Sequence, residues 1–218
     1  LRLKNLKKIS EERKSNGVKK TNENDVKLLR GLFYRYPEEF QPLSTSPEGL
    51  EVRALTELWV EIARMKKASK RTRTETNNPV AVKISKTLRN NIDELSREIH
   101  EKALRLPLYR RVVDELGLKG PSLAYIISHD ATALMTLTRN KLEIRYDMVD
   151  RPWKSRSLCS QLLISLARTT VINRHQKYRE IYEYYRRKGK KHWSAILRVA
   201  RRMLRDLRQQ AQKAGPPA

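Results

Sequence analysis

The chain has 218 residues, with 48 Lys and Arg against 24 Asp and Glu, and a formal net charge of +24 at pH 7. That excess argues against a free metabolic enzyme and asks for a polyanionic partner. A hydrophobic fraction of 39% is enough for a core and excludes a wholly disordered basic tail, while seven glycines and two phenylalanines argue against a rich all-β fold.

In chain order, residues 1–22 read as a basic, polar approach that breaks at Ser15-Asn16-Gly17. Asn24 can cap a helix from Asp25 to about Tyr36, with Val26, Leu29, Leu32 and Phe33 on one face. Pro37, Pro42 and Pro47 punctuate an irregular linker. A long helix is expected from Pro47 into the Lys66–Arg73 basic run, on the stripe Leu50, Ala54, Leu55, Leu58, Ile62 and Met65. Thr74–Asn78 reads as a loop, and Pro79 suits the first turn of the next helix, which runs to about Leu106. Its apolar positions are Val80, Ile84, Leu88, Ile92, Leu95, Ile99 and Ala103, spaced as in a coiled coil. The two long helices form an antiparallel hairpin about Asn77-Asn78, a spacer or a dimer surface.

A short helix follows from Leu108 to Leu116, then the turn Gly117-Leu118-Lys119-Gly120-Pro121, then a helix from Ser122 to His129. This order resembles a helix-hairpin-helix, whose turn amides take a DNA phosphate without reading sequence; it equally describes an ordinary helical corner capped by glycine. Leu142–Tyr146 alternates and reads as a short strand. Three helices are expected after Pro152: Ser155–Ile172, His175–Lys188 and His192–Gln212, before a disordered Gly-Pro-Pro-Ala end. The single cysteine, Cys159, lies in an apolar run of the first as a buried thiol, and excludes a disulfide framework or a cysteine zinc site. No run approaches ~18 apolar residues, so no membrane-spanning helix is expected. The start at Leu1 rather than Met is that of a fragment, a processed product or the ordered part of something longer.

The charge is uneven. Residues 37–150 carry 19 basic and 17 acidic side chains, whereas residues 151–218 carry 18 and 3, net +15. On the last helix, Ile196, Val199, Ala200, Met203, Leu204 and Leu207 make an apolar face, and Arg198, Arg201, Arg202, Arg205 and Arg208 a basic one. Five arginines beside one acid, Asp206, exceed what pairing along the helix can use. They read as phosphate contacts or as a solvated face. Tyr178, Tyr182 and Tyr185 recur at helical spacing among Arg179, Arg186, Arg187 and Lys188, as packed core or as stacking rings. Catalytic candidates are few. His100, His129, His175 and His192 have no metal-ligand spacing. Two-metal chemistry needs a cluster of carboxylates, and only Glu23 and Asp25 stand near the N-terminus. Ser155, Ser157 and Ser160 read as helix-start residues.

Four segments together resemble the DEDD-type insertion-sequence transposases related to the pilin-gene invertases, whose characterised members use a structured bridge RNA. Lys19–Leu29 sits where that family ends its RuvC-like domain with Lys-Thr-Asp-x-x-Asp-Ala; Glu51–Leu58 is similar to the start of its basic helical stretch. Gly117–Ala124 looks like its Pro-Gly-Ile-Gly-like hairpin; Tyr182–Ala195 and Val199–Leu204 look like its closing Arg-Gly-Lys and Ala-Arg-Lys-Leu-Leu helices. The resemblance runs over most of the chain, in order. It implies four metal-site acids, of which two would precede Leu1, the third falls on Asn22 and only Asp25 matches. Residues 130–153 are too short for the family's catalytic serine segment and hold no serine. The implied ancestry is DNA recombination with both halves of the chemistry missing.

The expected protein is mainly α: a basic segment over 1–46, a helical hairpin over 47–106, a C-terminal helical domain over 107–213 and a tail at 214–218. It binds DNA or structured RNA through Lys119, Arg186, Arg187, Lys188, Lys190, Lys191, Arg198, Arg201, Arg202, Arg205 and Arg208. The alternatives are a divergent recombinase or nuclease that takes its missing acids from another chain or segment and uses Asp25, one of Ser155, Ser157 or Ser160, and Mg2+, and an RNA-binding component of a ribonucleoprotein such as a ribosome. No other cofactor is expected. A homodimer or an assembly with a full-length relative, no membrane, and a nucleoid-associated place in a prokaryotic cytoplasm complete the expectation.

Overall fold

A computed structural model describes residues 2–3, 7–19, 21–35, 40–41, 46–76, 78–148 and 157–214. The fold is mainly α, with ten helices among the described residues. Two compact units divide the chain, Leu1–Ser44 and Thr45–Ala218.

The first unit has α1 (Lys7–Ser15) and α2 (Asn22–Arg35) about a turn at Gly17, and a two-residue antiparallel pair, β1 (Arg2–Leu3) with β2 (Phe40–Gln41). The basic, polar approach over residues 1–22 is therefore partly helical. Thr21, not Asn24, caps α2: its Oγ1 accepts from Asn24 N–H at 3.2 Å, while the Asn24 amide donates to Lys19 O at 3.0 Å. The Pro37 and Pro42 positions lie outside the described residues.

The second unit opens with α3 (Pro47–Thr76) and α4 (Pro79–Ala103). Asn78 caps α4, accepting from Val80 N–H at 2.8 Å, and Pro79 takes the first turn, where its missing N–H costs nothing. Helix α3 runs through Thr76, beyond the loop expected from Thr74. Contacts across the pair recede evenly from this turn. Ser69 Oγ donates to Ala81 O at 3.1 Å, Trp59 Nε1–H to Ser96 Oγ at 3.1 Å, and Lys102 meets Glu51. The helices are therefore antiparallel.

The expected stripe on α3 is rotated. Val52, Thr56 and Val60 are buried, while Leu50, Leu58 and Met65 are exposed. The reason is packing on two sides: α3 lies against both α4 and α6, so Val52, Thr56 and Val60 are covered as well as Leu55, Trp59 and Ile62. On α4, Leu95, Ile99 and Ala103 are buried, but Val80 and Ile84 near the turn are exposed.

The remaining helices are α5 (Pro107–Leu116), α6 (Pro121–Thr136), α7 (Arg139–Arg145), α8 (Leu158–Ile172), α9 (Gln176–Arg187) and α10 (His192–Ala214). Helix α6 is apolar almost all round, with Leu123 to Ser128 all buried, and packs against α3, α4, α5, α8 and α10. One core joins Val52 and Ile99 of the hairpin to Leu163 of α8 and Leu204 of α10, so hairpin and C-terminal helices share an interior. The strand expected over Leu142–Tyr146 is helix α7. Its alternation is coincidental: Leu142 is buried, Ile144 is 72% exposed, and Tyr146 closes the helix.

Candidate nucleic-acid interface

Helix α9 is fixed from below by Tyr178, whose buried hydroxyl donates to Asp206 Oδ2 on α10 at 3.0 Å. Asp206 is itself buried and meets Lys177 at 2.8 Å and Arg202 Nε at 3.1 Å. At the other end Tyr182 Oη and His192 Nδ1 share a hydrogen bond of 2.8 Å, and the Arg186 guanidinium donates to Lys190 O at 2.7 Å across the turn. Gly189 turns that corner at φ +75°, which glycine adopts without strain.

Between the two helices runs a groove of about 590 Å3. It is lined by Glu180, Ile181, Tyr184, Tyr185, Arg187, Arg198, Arg201, Arg202 and Arg205. The structure thus brings together four of the five α10 arginines and Arg187. Arg198 lies over the Tyr185 ring at 5.8 Å and Lys188 over Tyr184 at 4.7 Å, distances of cation–π contact. Lys188 is fully exposed at the turn, and its ammonium is held above the usual lysine range by Tyr184. Lys190 and Lys191 are exposed beside it.

Surplus charge on α10 is smaller than the helix alone suggests. Arg205 bonds Glu143 of α7 through Nε at 3.3 Å and Nη2 at 3.1 Å. Burial pushes the Glu143 carboxyl up, but its bonds to Arg139 and Arg205 prevail and hold it below the usual carboxylate range. Arg201 donates to Met148 O through Nε at 2.6 Å and through Nη2, and Arg208 Nε donates to Leu137 O at 2.9 Å. Three of the five arginines thus staple residues 137–148 onto α10. A carbonyl acceptor does not neutralise a guanidinium, however. Asp206 and Glu143 are each shared with a further cation, Lys177 and Arg139, so this cluster of seven cations and three acids keeps a surplus of four positive charges.

Lys119 is exposed in the turn between α5 and α6, apart from the α9–α10 groove. There Gly117 is left-handed at φ +62°, and the Gly120 amide donates to Tyr109 Oη at 2.9 Å. That hydroxyl also bonds His100 Nδ1 at 2.9 Å, and the His175 Nε2–H donates to Leu116 O at 2.8 Å. Two of the turn amides that a helix-hairpin-helix would offer to phosphate, those of Gly117 and Gly120, are therefore engaged internally.

Asp25 takes Arg13, at 3.0 Å to Nε and 2.8 Å to Nη2. Among the described residues no group of three or more His, Cys, Asp or Glu stands ready for a metal ion. Each histidine has a local partner; His129 bonds Glu57 at 3.1 Å, and that bond leads the forces holding Glu57 below the usual carboxylate range. Ser157 caps α8, accepting from Ser160 N–H at 3.3 Å; Ser160 is buried, and Ser155 lies outside the described residues. Burial pushes the Cys159 thiol up to about 12, which leaves it protonated and unreactive. No described helix is long and apolar enough to cross a membrane.

Tyr184 and Glu143 are the participants that sequence reasoning missed. Tyr184 stands one residue off the expected tyrosine line, yet it is the ring exposed in the groove, at 46%. Glu143 had no visible link to α10, because its partner is 62 residues away. No protein-family model matches the chain, and no curated protein matches it.

Proposed function

We propose that this chain binds nucleic acid, DNA or structured RNA, through phosphate contacts made by the α9–α10 groove and the basic turn between those helices. The observation that carries the reading is the groove itself: five arginines and two tyrosines on converging helices, lined by a single acid, Glu180. Arg187 and Arg198, together with Lys188, Lys190 and Lys191 at the mouth, are the contacts that an incoming phosphate meets first. Tyr184 offers a ring face for a splayed base. The resemblance to bridge-RNA-using transposases supports the same reading, as a recombinase-derived binding domain.

The test is binding to a labelled DNA duplex and to a structured RNA across a salt series. Phosphate contact by four or more cations gives a slope of log K against log salt of about −3 or steeper. Arg187→Gln with Arg198→Gln lowers that slope by about 1 per lost contact and weakens all sequences alike. A shallow slope that these substitutions leave unchanged refutes the reading.

A further inference from the structure

A second basic groove lies on the α3–α4 hairpin. It has about 690 Å3 and is lined by Lys66, Lys70, Val82, Ser85, Lys86, Arg89 and Asp93. Four cations face one acid. Among the described residues none of Lys66, Lys70, Lys86 and Arg89 meets a carboxylate. The base of the same hairpin is built differently: Lys102 pairs with Glu51 and Glu98, and Arg53 with Glu57. Residues 65–92 carry eight basic side chains and one acid, so the turn half of the hairpin holds a concentrated positive charge.

Nothing in the packing of the unit calls for that charge. The core reaches Ile62 on α3 and Leu95 on α4; no described residue between them belongs to it. From Ile62 to Thr76, at 1.5 Å per residue, the hairpin extends about 20 Å beyond that core. Lys66 and Lys70 are a like-charged i,i+4 pair, which weakens a helix. Lys86 and Arg89 stand across the groove from them and add to the repulsion. A polyanion lying in the groove relieves it. At roughly 100° per residue, Lys86 and Arg89 point away from the opposite face of α4, where Val80 and Ile84 are exposed. Cations and those apolar side chains do not form one amphipathic surface of the kind that enters a membrane.

We infer that this groove is a second phosphate-binding site, which takes the backbone of a nucleic-acid segment separate from the one at α9–α10. The chain is then a two-handed binder that bridges two duplexes, or two arms of one structured RNA. This rests on the proposed function for the identity of the polyanion, not for the site.

The test uses the full chain with Lys66→Gln, Lys70→Gln, Lys86→Gln and Arg89→Gln combined, beside the Arg187→Gln, Arg198→Gln variant. Wild-type protein held on an immobilised DNA duplex should capture a second, differently labelled duplex. The hairpin variant should keep single-duplex binding, lose the capture, and lower the salt slope by about 1 per contact removed. In wild-type protein, bound duplex should also protect Lys66, Lys70 and Lys86 from amine acylation, a readout independent of any variant. A wild-type slope and full capture in the hairpin variant, or no protection of these lysines, overturn the inference. So does phosphatidylserine-vesicle binding that depends on the hairpin cations while the duplex slope does not. If only the hairpin variant alters the slope, the second site stands and the α9–α10 reading falls. If only the other does, the reverse holds.

Discussion

Asp206 shows how one side chain serves both folding and charge. Buried on α10, it accepts from Tyr178 and meets Lys177 and Arg202. Asp206→Asn leaves Tyr178 a weaker acceptor and the two cations unpartnered, but both cations are partly exposed and reach water. The expected loss is about 2 kcal/mol, read as a drop in melting temperature. Gly117 is constrained twice. Its φ is +62°, and an added Cβ would stand 3.2 Å from His175 Nε2. Gly117→Ala should therefore destabilise by about 1–2 kcal/mol, more than alanine at Gly189, which shares the left-handed φ but where an added Cβ meets nothing within 4 Å. At Cys159 the folded thiol titrates near 12, above an ordinary thiol. The folded chain holds this proton more tightly than the unfolded one. Stability from this group is complete below about pH 8.5 and declines as pH rises toward 12. The matching measurement is alkylation at mildly alkaline pH, which should be slow in native protein and fast in denaturant.

At the scale of the element, the instructive contacts are those that α10 makes with the segment around α7. Arg201, Arg205 and Arg208 hold residues 137–148 in place, two of them through carbonyls. Glu143→Gln removes the charge set against Arg205 while keeping the side chain's shape. Nucleic acid should then bind more tightly with a steeper salt slope, at a small cost in stability; unchanged binding would mean that Arg205 does not face the ligand. These contacts also mark the limit of what the sequence made legible. The helices α4, α5, α8, α9 and α10 follow from spacing, proline and caps. Val52 and Thr56 on α3 did not, because a helix covered on two sides has no single stripe. The alternation of Leu142 and Ile144 gave a strand where seven residues formed a helix, since so short a window fits either period. Arginine partners on distant elements leave no trace in local spacing. The basic groove residues Arg187 and Arg198 were visible as charge; Tyr184 became a participant only once α9 had a defined orientation.

Over the whole molecule, the distribution of charge matters more than the total. The near-neutral balance of residues 37–150 averages an acid-paired hairpin base with a turn half carrying eight bases and one acid. That contrast is invisible to segment sums and obvious once α3 lies antiparallel to α4. The C-terminal helices present the other positive surface, partly offset by Glu143, Asp206 and Glu180. Both grooves belong to the unit Thr45–Ala218, and none of their cations is part of its buried apolar clusters, so substitutions on the exposed cations of either should leave folding intact. Removing them should raise thermal stability slightly at low salt, through reduced self-repulsion, and the gain should shrink as salt is added.

The most direct measurement is the salt dependence of duplex and structured-RNA binding for wild-type protein and for Arg187→Gln with Arg198→Gln. Nucleic-acid binding by the α9–α10 surface predicts a slope of about −3 or steeper for wild type, and one shallower by about 2 for the variant. No binding at low salt, or a slope identical in the two proteins, contradicts the assignment of that surface.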